Sequence, residues 1–178
     1  MELITKRLRL RDYVLNDAQA LENALSNPFI AQYVLSAHKK YSISDAEEWI
    51  SFCIKENQKN PRLIYDLGIE LQRSSGIIGE VSLFLTNRKR KTAELGYFLC
   101  EEFWKQGIMT EALNRLVEFS FDELKISELL IRTSVNNPDS NRLARRIGFS
   151  YQRTEPQVIF SDTAGNFPEI NIYALKSR

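Results

Sequence analysis

Glu94-Leu-Gly-Tyr-Phe-Leu-Cys-Glu-Glu-Phe-Trp-Lys-Gln-Gly-Ile-Met-Thr-Glu111 starts as a strand, breaks at a short polar turn and resumes as a helix. The β-rich run 92–100 gives way near Gly107 to Ala112, Leu113, Leu116, Val117 and Phe121, which recur at the spacing of one helical face and carry the helix to about Asp122. A strand that turns tightly into a helix leaves the first helical N–H groups without acceptors at the positive end of the dipole, a ready seat for a phosphate. Neither G-x-x-x-x-G-K-[ST] nor G-x-G-x-x-G occurs, so this is not a P-loop or a dinucleotide fingerprint. Gly96, inside an otherwise good strand, predicts a bulge or the close approach of another backbone or a ligand.

Working outward, 62–71, 77–85 and 92–100 read as a three-stranded antiparallel meander, punctuated by Arg73-Ser-Ser-Gly76 and Asn87-Arg-Lys-Arg-Lys91. Ahead of it lie a strand over Leu8–Val14, a short helix over 17–26, a second helical piece from Pro28 to about Leu35, and a helix over 45–59. The last opens on the capping-box pattern Ser44-Asp-Ala-Glu47 and shows the stripe Ala46, Trp49, Ile50, Cys53 and Ile54. After residue 122 come a strand at 128–135, a helix at 138–147 and two strands near 149–160 and 168–176. A meander followed by one strand-helix-strand crossover predicts an α/β domain over 1–178, with a mixed, mostly antiparallel sheet of about seven strands and four to five helices.

Composition narrows the class. The chain has 178 residues, 43% hydrophobic, and its 24 Lys+Arg against 23 Asp+Glu leave a net charge of +1. That balance argues against a dedicated nucleic-acid binder and against a polybasic membrane protein, and no apolar run reaches the ~20 residues of a membrane span. The N-terminal residues lack a secretory h-region, so a cytoplasmic location is expected. Cys53 and Cys100 lie in apolar segments without C-x-x-C spacing, and His38 is the lone histidine, so no metal site is expected. Neither cysteine has a basic neighbour to make it a nucleophile. Arg88, Lys89, Arg90 and Lys91 read as a solvated hairpin loop, and Phe29, Tyr33 and Trp49, at helical spacing, as core.

The second informative segment runs from Val135 to Phe149. Asn137 reads as an N-cap, Pro138 as the first helical residue, Asp139 as a favourable early anion and Gly148 as the left-handed stop. Capping does not require the hydroxyl of Ser140.

These blocks together resemble the GNAT superfamily of acetyl-CoA-dependent N-acetyltransferases, and more closely its Rim-type (RimJ/RimL-like) ribosomal-protein N-terminal acetyltransferase branch. The matches are Ile4-Thr-Lys-Arg-Leu-Arg-Leu-Arg11, Gly79-Glu80, Glu94-Leu-Gly-Tyr97, Gln106-Gly-Ile-Met-Thr-Glu-Ala112, and Asn137-x-x-Ser140 through Gly148-Phe149, in the family's order over nearly the whole chain. The resemblance implies two splayed central parallel strands. Pantetheine would lie beside the first of them, along Phe98, Leu99 and Cys100, and pyrophosphate would sit on the N–H groups of Gln106, Gly107, Ile108, Met109 and Thr110. Asn137 and Arg142 complete the cofactor set, with Arg142 a contact for the 3′-phosphate. Acetyl-CoA is the cosubstrate, no metal takes part, and a primary amine attacks directly in a ternary complex.

The resemblance leaves the catalytic roles divided. Glu94 is the first candidate base and Glu80 its rival, and Ser140 is the candidate acid. Three positions depart from the wider pattern: Trp104 where Gln or Arg is usual, Met109 where Gly or Ala is usual, and Ala144 where many relatives carry an acidic Tyr. His38, Phe160, Asp162 and Asn166 fall where acceptor-side loops of relatives lie. The acceptor stays open between a protein N-terminal α-amine, a ribosomal protein's included, and a small amine such as a polyamine, amino acid or drug. A catalytically silent acyl-CoA-binding module is the rival reading. A monomer or homodimer without membrane or direct nucleic-acid contact is expected.

Overall fold

The computed structural model describes residues 1–34, 41–87, 91–156 and 169–177. Two short strands, β1 (Glu2–Ile4) and β2 (Leu8–Asp12), open the chain. In β2 Leu8 and Leu10 are buried and Arg9 is exposed, as period-two alternation requires. Three helices follow, α1 (Ala18–Leu25), α2 (Pro28–Ala31) and α3 (Ile43–Asn57), then the meander β3 (Ile64–Leu71), β4 (Ile77–Asn87) and β5 (Thr92–Leu99). The chain ends with α4 (Ile108–Asp122), β6 (Glu128–Ser134), α5 (Pro138–Arg146), β7 (Ser150–Glu155) and β8 (Ile170–Lys176).

All eight strands form one sheet in the order β1-β2-β3-β4-β5-β6-β8-β7, antiparallel at every step except β5 with β6. Helices α4 and α5 cover one face, where Leu113, Leu116 and Ala144 meet Leu67, Leu83, Leu95, Leu129 and Ile131. On the other face α1, α2 and α3 bury Leu21, Ile30, Ile50 and Cys53 against Tyr13, Ile77 and Phe98. Asp17, at the head of α1, is buried and takes both guanidinium arms of Arg11 at 2.8 and 2.9 Å, which fixes the first helix to β2.

Several boundaries differ from the sequence reading for identifiable reasons. Among the described residues there are eight strands where the sequence predicts about seven, the added one being β1, which pairs with β2 across the Thr5–Arg7 turn. The capping box is Ser42 with Asp45, not Ser44 with Glu47. Starting there lets Tyr41, just ahead of the cap, bury in the same cluster as Ala46 of the first turn, as a hydrophobic staple does. Pro28 opens α2 at the position after the Asn27 cap, but α2 stops at Ala31 rather than running to about Leu35. Phe29 (60% exposed) and Tyr33 (42%) are surface residues rather than core, and Trp49 is only partly buried. Among the described residues the register shifts lie at Ile69/Glu70, Leu85/Asn87 and Tyr151/Arg153, not at Gly96. A Cβ on Gly96 would stand 2.5 Å from Ser82 Oγ, so the glycine there makes room for a neighbouring side chain.

Gly79 makes room for a backbone instead: its Cβ would stand 2.5 Å from the Phe98 carbonyl oxygen. Gly79→Ala must therefore push β4 and β5 apart, and we expect a loss of about 1–3 kcal/mol in denaturant unfolding, as for an overpacked core. An unchanged midpoint would show that the ladder yields without cost.

Candidate active site

The site begins where a ladder ends. Strands β5 and β6 pair only from Thr92–Leu95 to Glu128–Ile131. Beyond Leu95, β5 stays on β4 through Leu99, whereas β6 stays on β8 through Ser134, so the two arms diverge and leave a wedge. The Cys100 N–H donates to Ile78 O on β4. Because strand backbone groups alternate, Phe98 also turns its N–H and C=O to β4, while Tyr97 and Leu99 turn theirs to the wedge. Of the three strand residues expected along the cofactor, Leu99 has this backbone exposure. Its carbonyl already accepts the Trp104 indole N–H at 2.6 Å, which gives the Trp at that departing position a local role.

The turn into α4 has the properties expected of an anion cradle. Lys105 and Gly107 are left-handed, with φ of 60° and 75°, and Gly107 caps α4 without a side-chain bond. The N–H groups of residues 106–110 have no acceptor among the described residues. Ile108 and Met109 bury their side chains, which fixes the helix start. Reading the sequence missed what holds the turn from outside. Arg7 donates from Nη1 to Gln106 O at 3.0 Å and from Nε to Glu111 Oε2 at 2.6 Å, and Thr5 donates its hydroxyl to Glu111 Oε1 at 2.6 Å. No local signal links residues 5–7 to residue 111.

At the far side of the wedge, Asn137 caps α5 as expected, its Oδ1 accepting the Ser140 N–H at 3.0 Å. The helix ends on Gly148 with φ 94°, where Phe149 N–H returns to Ala144 O and Gly148 N–H to Arg145 O. Buried Asn141, also missed, holds the helix in place. It donates to Ser134 O and Asn137 O and accepts from Tyr173 Oη and Asn171 Nδ2, all at 2.7–2.8 Å. Arg142 is exposed and paired with Asp139. The Ser140 hydroxyl lies 2.8 Å from Tyr97 Oη.

On the opposite face a cavity of about 300 Å³ opens between α1, α3 and the strands, lined by Tyr41, Trp49, Phe52, Phe98, Glu48 and Glu80 among others. Glu80 pairs with Phe98 across the β4–β5 ladder, next to the wedge. Its Oε2 accepts the Tyr13 hydroxyl at 2.7 Å, and Trp49 lines the same cavity. Burial, reinforced by nearby Asp66, pushes its carboxyl up to about 8 against the bonds that favour the anion. Asp66 is itself buried and raised to about 6 by desolvation. Its Oδ2 accepts the Cys53 thiol at 3.8 Å, and its Oδ1 has no partner among the described residues.

Glu94 is placed differently. It stands opposite Phe84 and Leu130, on the stretch where β5 and β6 are still joined, with Arg132 and Glu155 as its charged neighbours. Burial raises its carboxyl, but it does not line the cavity. Thus the structure gathers Glu80, Phe98, Leu99 and Ser140 around the wedge and leaves Glu94 behind its apex. His38, Arg88, Lys89, Arg90, Phe160, Asp162 and Asn166 lie outside the described residues. Among the described residues no three His, Cys, Asp or Glu side chains gather as a metal site, and no helix is long and apolar enough to cross a membrane.

Comparison with known proteins agrees with this architecture. The chain is 27% identical over 173 residues to the uncharacterized N-acetyltransferase YoaA of Bacillus subtilis (strain 168), covering 97% of this chain and 95% of that one. It is 34% identical over 98 residues to the ribosomal-protein-serine acetyltransferase of Escherichia coli (strain K12), covering 55% and 54%. The structure superimposes with a TM-score of 0.86 on RimL, a ribosomal L7/L12 alpha-N-protein acetyltransferase in complex with coenzyme A, over 99% of this chain and 98% of that one. At 23% identity that likeness is one of fold. The acetyltransferase (GNAT) domain model matches residues 7–150, from the arginine that braces the turn to the strand after α5, and the chain belongs to that family.

Proposed function

We propose that the protein transfers an acetyl group from acetyl-CoA to a primary amine, a protein N-terminal α-amine by preference, with Glu80 as the base. The observation that carries this reading is the position of Glu80. It is a carboxyl group held by the Tyr13 hydroxyl in an aromatic-walled cavity, directly across the ladder from the strand that borders the wedge. The free N–H groups of residues 106–110 and the wedge-facing backbone of Tyr97 and Leu99 fit a pyrophosphate and the amides of an extended pantetheine. Bound acetyl-CoA supplies the activated acyl thioester. In its ionised form Glu80 binds the ammonium form of the acceptor and takes its proton, while the Tyr13 hydroxyl, donating to Oε2, holds the carboxylate in orientation. The likeness to ribosomal-protein-serine acetyltransferases supports an N-terminal acceptor. Thiol release from acetyl-CoA, measured with peptides of varied N-termini, free amino acids and polyamines, tests the reading. Release with none of them would leave the silent binding module.

Replacing Glu80 by Gln is expected to lower kcat by about 10²-fold or more, with the Kd for acetyl-CoA within about twofold, and Glu94→Gln to change kcat little. Stability gives a second readout. A carboxyl raised from about 4.3 unfolded to about 8 folded contributes stability that is complete below the lower value and is lost as pH climbs through the upper one. The wild-type melting midpoint should therefore fall across that interval more than the Glu80→Gln midpoint does. Equal slopes, or a larger rate loss from Glu94→Gln, would return the base to Glu94.

Gly107→Val should weaken CoA binding about tenfold or more by calorimetry, because a β-branched residue resists φ 75° and crowds the backbone approach to phosphate. Unchanged affinity in a folded variant would place the phosphates elsewhere.

The acceptor preference follows from proton cost. An α-amine of pKa ~7.7–8.0 is substantially neutral near pH 7.5, whereas a lysine amine at ~10.4 costs about 3–4 kcal/mol more to deprotonate. One carboxylate suits the easier amine. Initial rates on a peptide with only its N-terminus free should exceed those on the same peptide with only its lysine free, and the reverse order would refute the preference.

A further inference from the structure

We propose that Tyr97 is a positioning residue for the Ser140 hydroxyl, which it holds by donating its phenol O–H so that the serine proton is presented to the departing sulfur of the acyl donor. The inference rests on the acetyl-transfer reading and gives a role to a side chain to which the sequence patterns assigned none. Tyr97 stands two residues beyond Leu95, the last residue of β5 bonded to β6, and Ser140 sits in the first turn of the helix that follows β6. Their 2.8 Å contact therefore ties together the two arms of the wedge near its apex.

The direction of the hydrogen bond follows from the two groups. Each hydroxyl has one proton, and a serine that donated to the phenol would have none left for a ligand. The phenol is the more acidic partner, and burial pushes it up to about 12, so at neutral pH it always has a proton to donate. The Ser140 N–H is already committed to Asn137, and Tyr97 is the only described partner of its hydroxyl. With Tyr97 as donor, the Ser140 proton is free for the wedge. Room for this arrangement comes from the position where a helical Tyr is usual. Ala144 lies one turn beyond Ser140 on the same helical face, is fully buried, and belongs to the cluster against which Tyr97 packs. The phenol thus enters from the strand rather than from the helix. Successive side chains of β5 point to opposite faces, so Tyr97 addresses the leaving group from the α5 side while Phe98 and its partner Glu80 line the acceptor cavity on the other.

No proton needs to leave either hydroxyl. As the C–S bond breaks, sulfur keeps the electron pair and gains a hydrogen bond from Ser140, which is strengthened because Ser140 is itself accepting one. The thiol of CoA leaves as the thiolate under that stabilisation and takes a proton from water afterwards.

The test reads the thiolate directly. Ultraviolet titration of CoA bound to the wild-type protein, with the ligand-free protein subtracted, should show the thiol ionising roughly one unit below the value of unbound CoA titrated alongside. Tyr97→Phe, which keeps the ring, and Ser140→Ala should each return it toward that value, and the double variant should go no further than Ser140→Ala. In turnover, Tyr97→Phe should lower kcat about tenfold with KM for acetyl-CoA and the melting midpoint nearly unchanged. Identical bound-thiol titrations in wild type and Tyr97→Phe, or rate losses that simply multiply in the double variant, would overturn the pairing. If no amine yields thiol release yet the bound-thiol shift is present and lost in Tyr97→Phe, acetyl transfer fails while the hydroxyl pair stands.

Discussion

The parallel ladder between β5 and β6 lasts four residue pairs, and what the site offers depends on why it stops there. Each strand has a second partner, β4 for one and β8 for the other, and beyond Leu95 and Ile131 each follows that partner. The twist of a wide sheet makes the two courses diverge. The backbone groups of Tyr97 and the N–H of Leu99 are then left facing a gap, since the Leu99 carbonyl is taken by Trp104, and such groups require a partner, from water or from an extended ligand that mimics a strand. A fold that closed this ladder would be more regular and would have nowhere to hold an acyl donor.

Around that gap the polar groups are sorted by face. On the side of α1, α2 and α3 sit acceptors: Glu80, with Asp66 behind it, in aromatic and aliphatic surroundings that make the anion costly. On the side of α4 and α5 sit donors: the Ser140 and Tyr97 hydroxyls and the free N–H groups at the head of α4. A positive amine and a developing negative sulfur would each meet the complementary environment without rearrangement, as electrostatic preorganisation requires. The sorting has a stability cost, visible in the unpartnered Asp66 Oδ1 and the raised Glu80 carboxyl.

Local chemistry made much of this legible in advance. The order of elements, the single crossover, the Gly107 helix start, the Asn137 cap and the Gly148 stop all follow from spacing and from residues with strong backbone preferences. The first strand escaped because three residues carry too little periodicity, and the capping box was misplaced because Ser42-x-x-Asp45 and Ser44-x-x-Glu47 have the same form. Only the burial of Tyr41 decides between them. The relation of Glu94 to Glu80 was not legible either. Both are carboxylates on strands and on the same face, and which one meets the cavity depends on where β5 leaves β6, a register that no stretch of sequence contains. Tyr97 with Ser140, and Arg7 with Gln106, are contacts between residues 43 and 99 apart.

The brace formed by Thr5, Arg7 and Glu111 has a thermodynamic consequence. The turn that would receive a phosphate is held in shape by side chains from the hairpin of β1 and β2, about a hundred residues away in sequence. Order in that hairpin and occupancy of the turn are therefore linked quantities. Whatever free energy a ligand gains from the braced turn it returns as protection of residues 1–12, and a chain whose first strands have peeled away presents a looser turn. The first hairpin thereby shapes the turn from outside it, through Arg7 and Thr5.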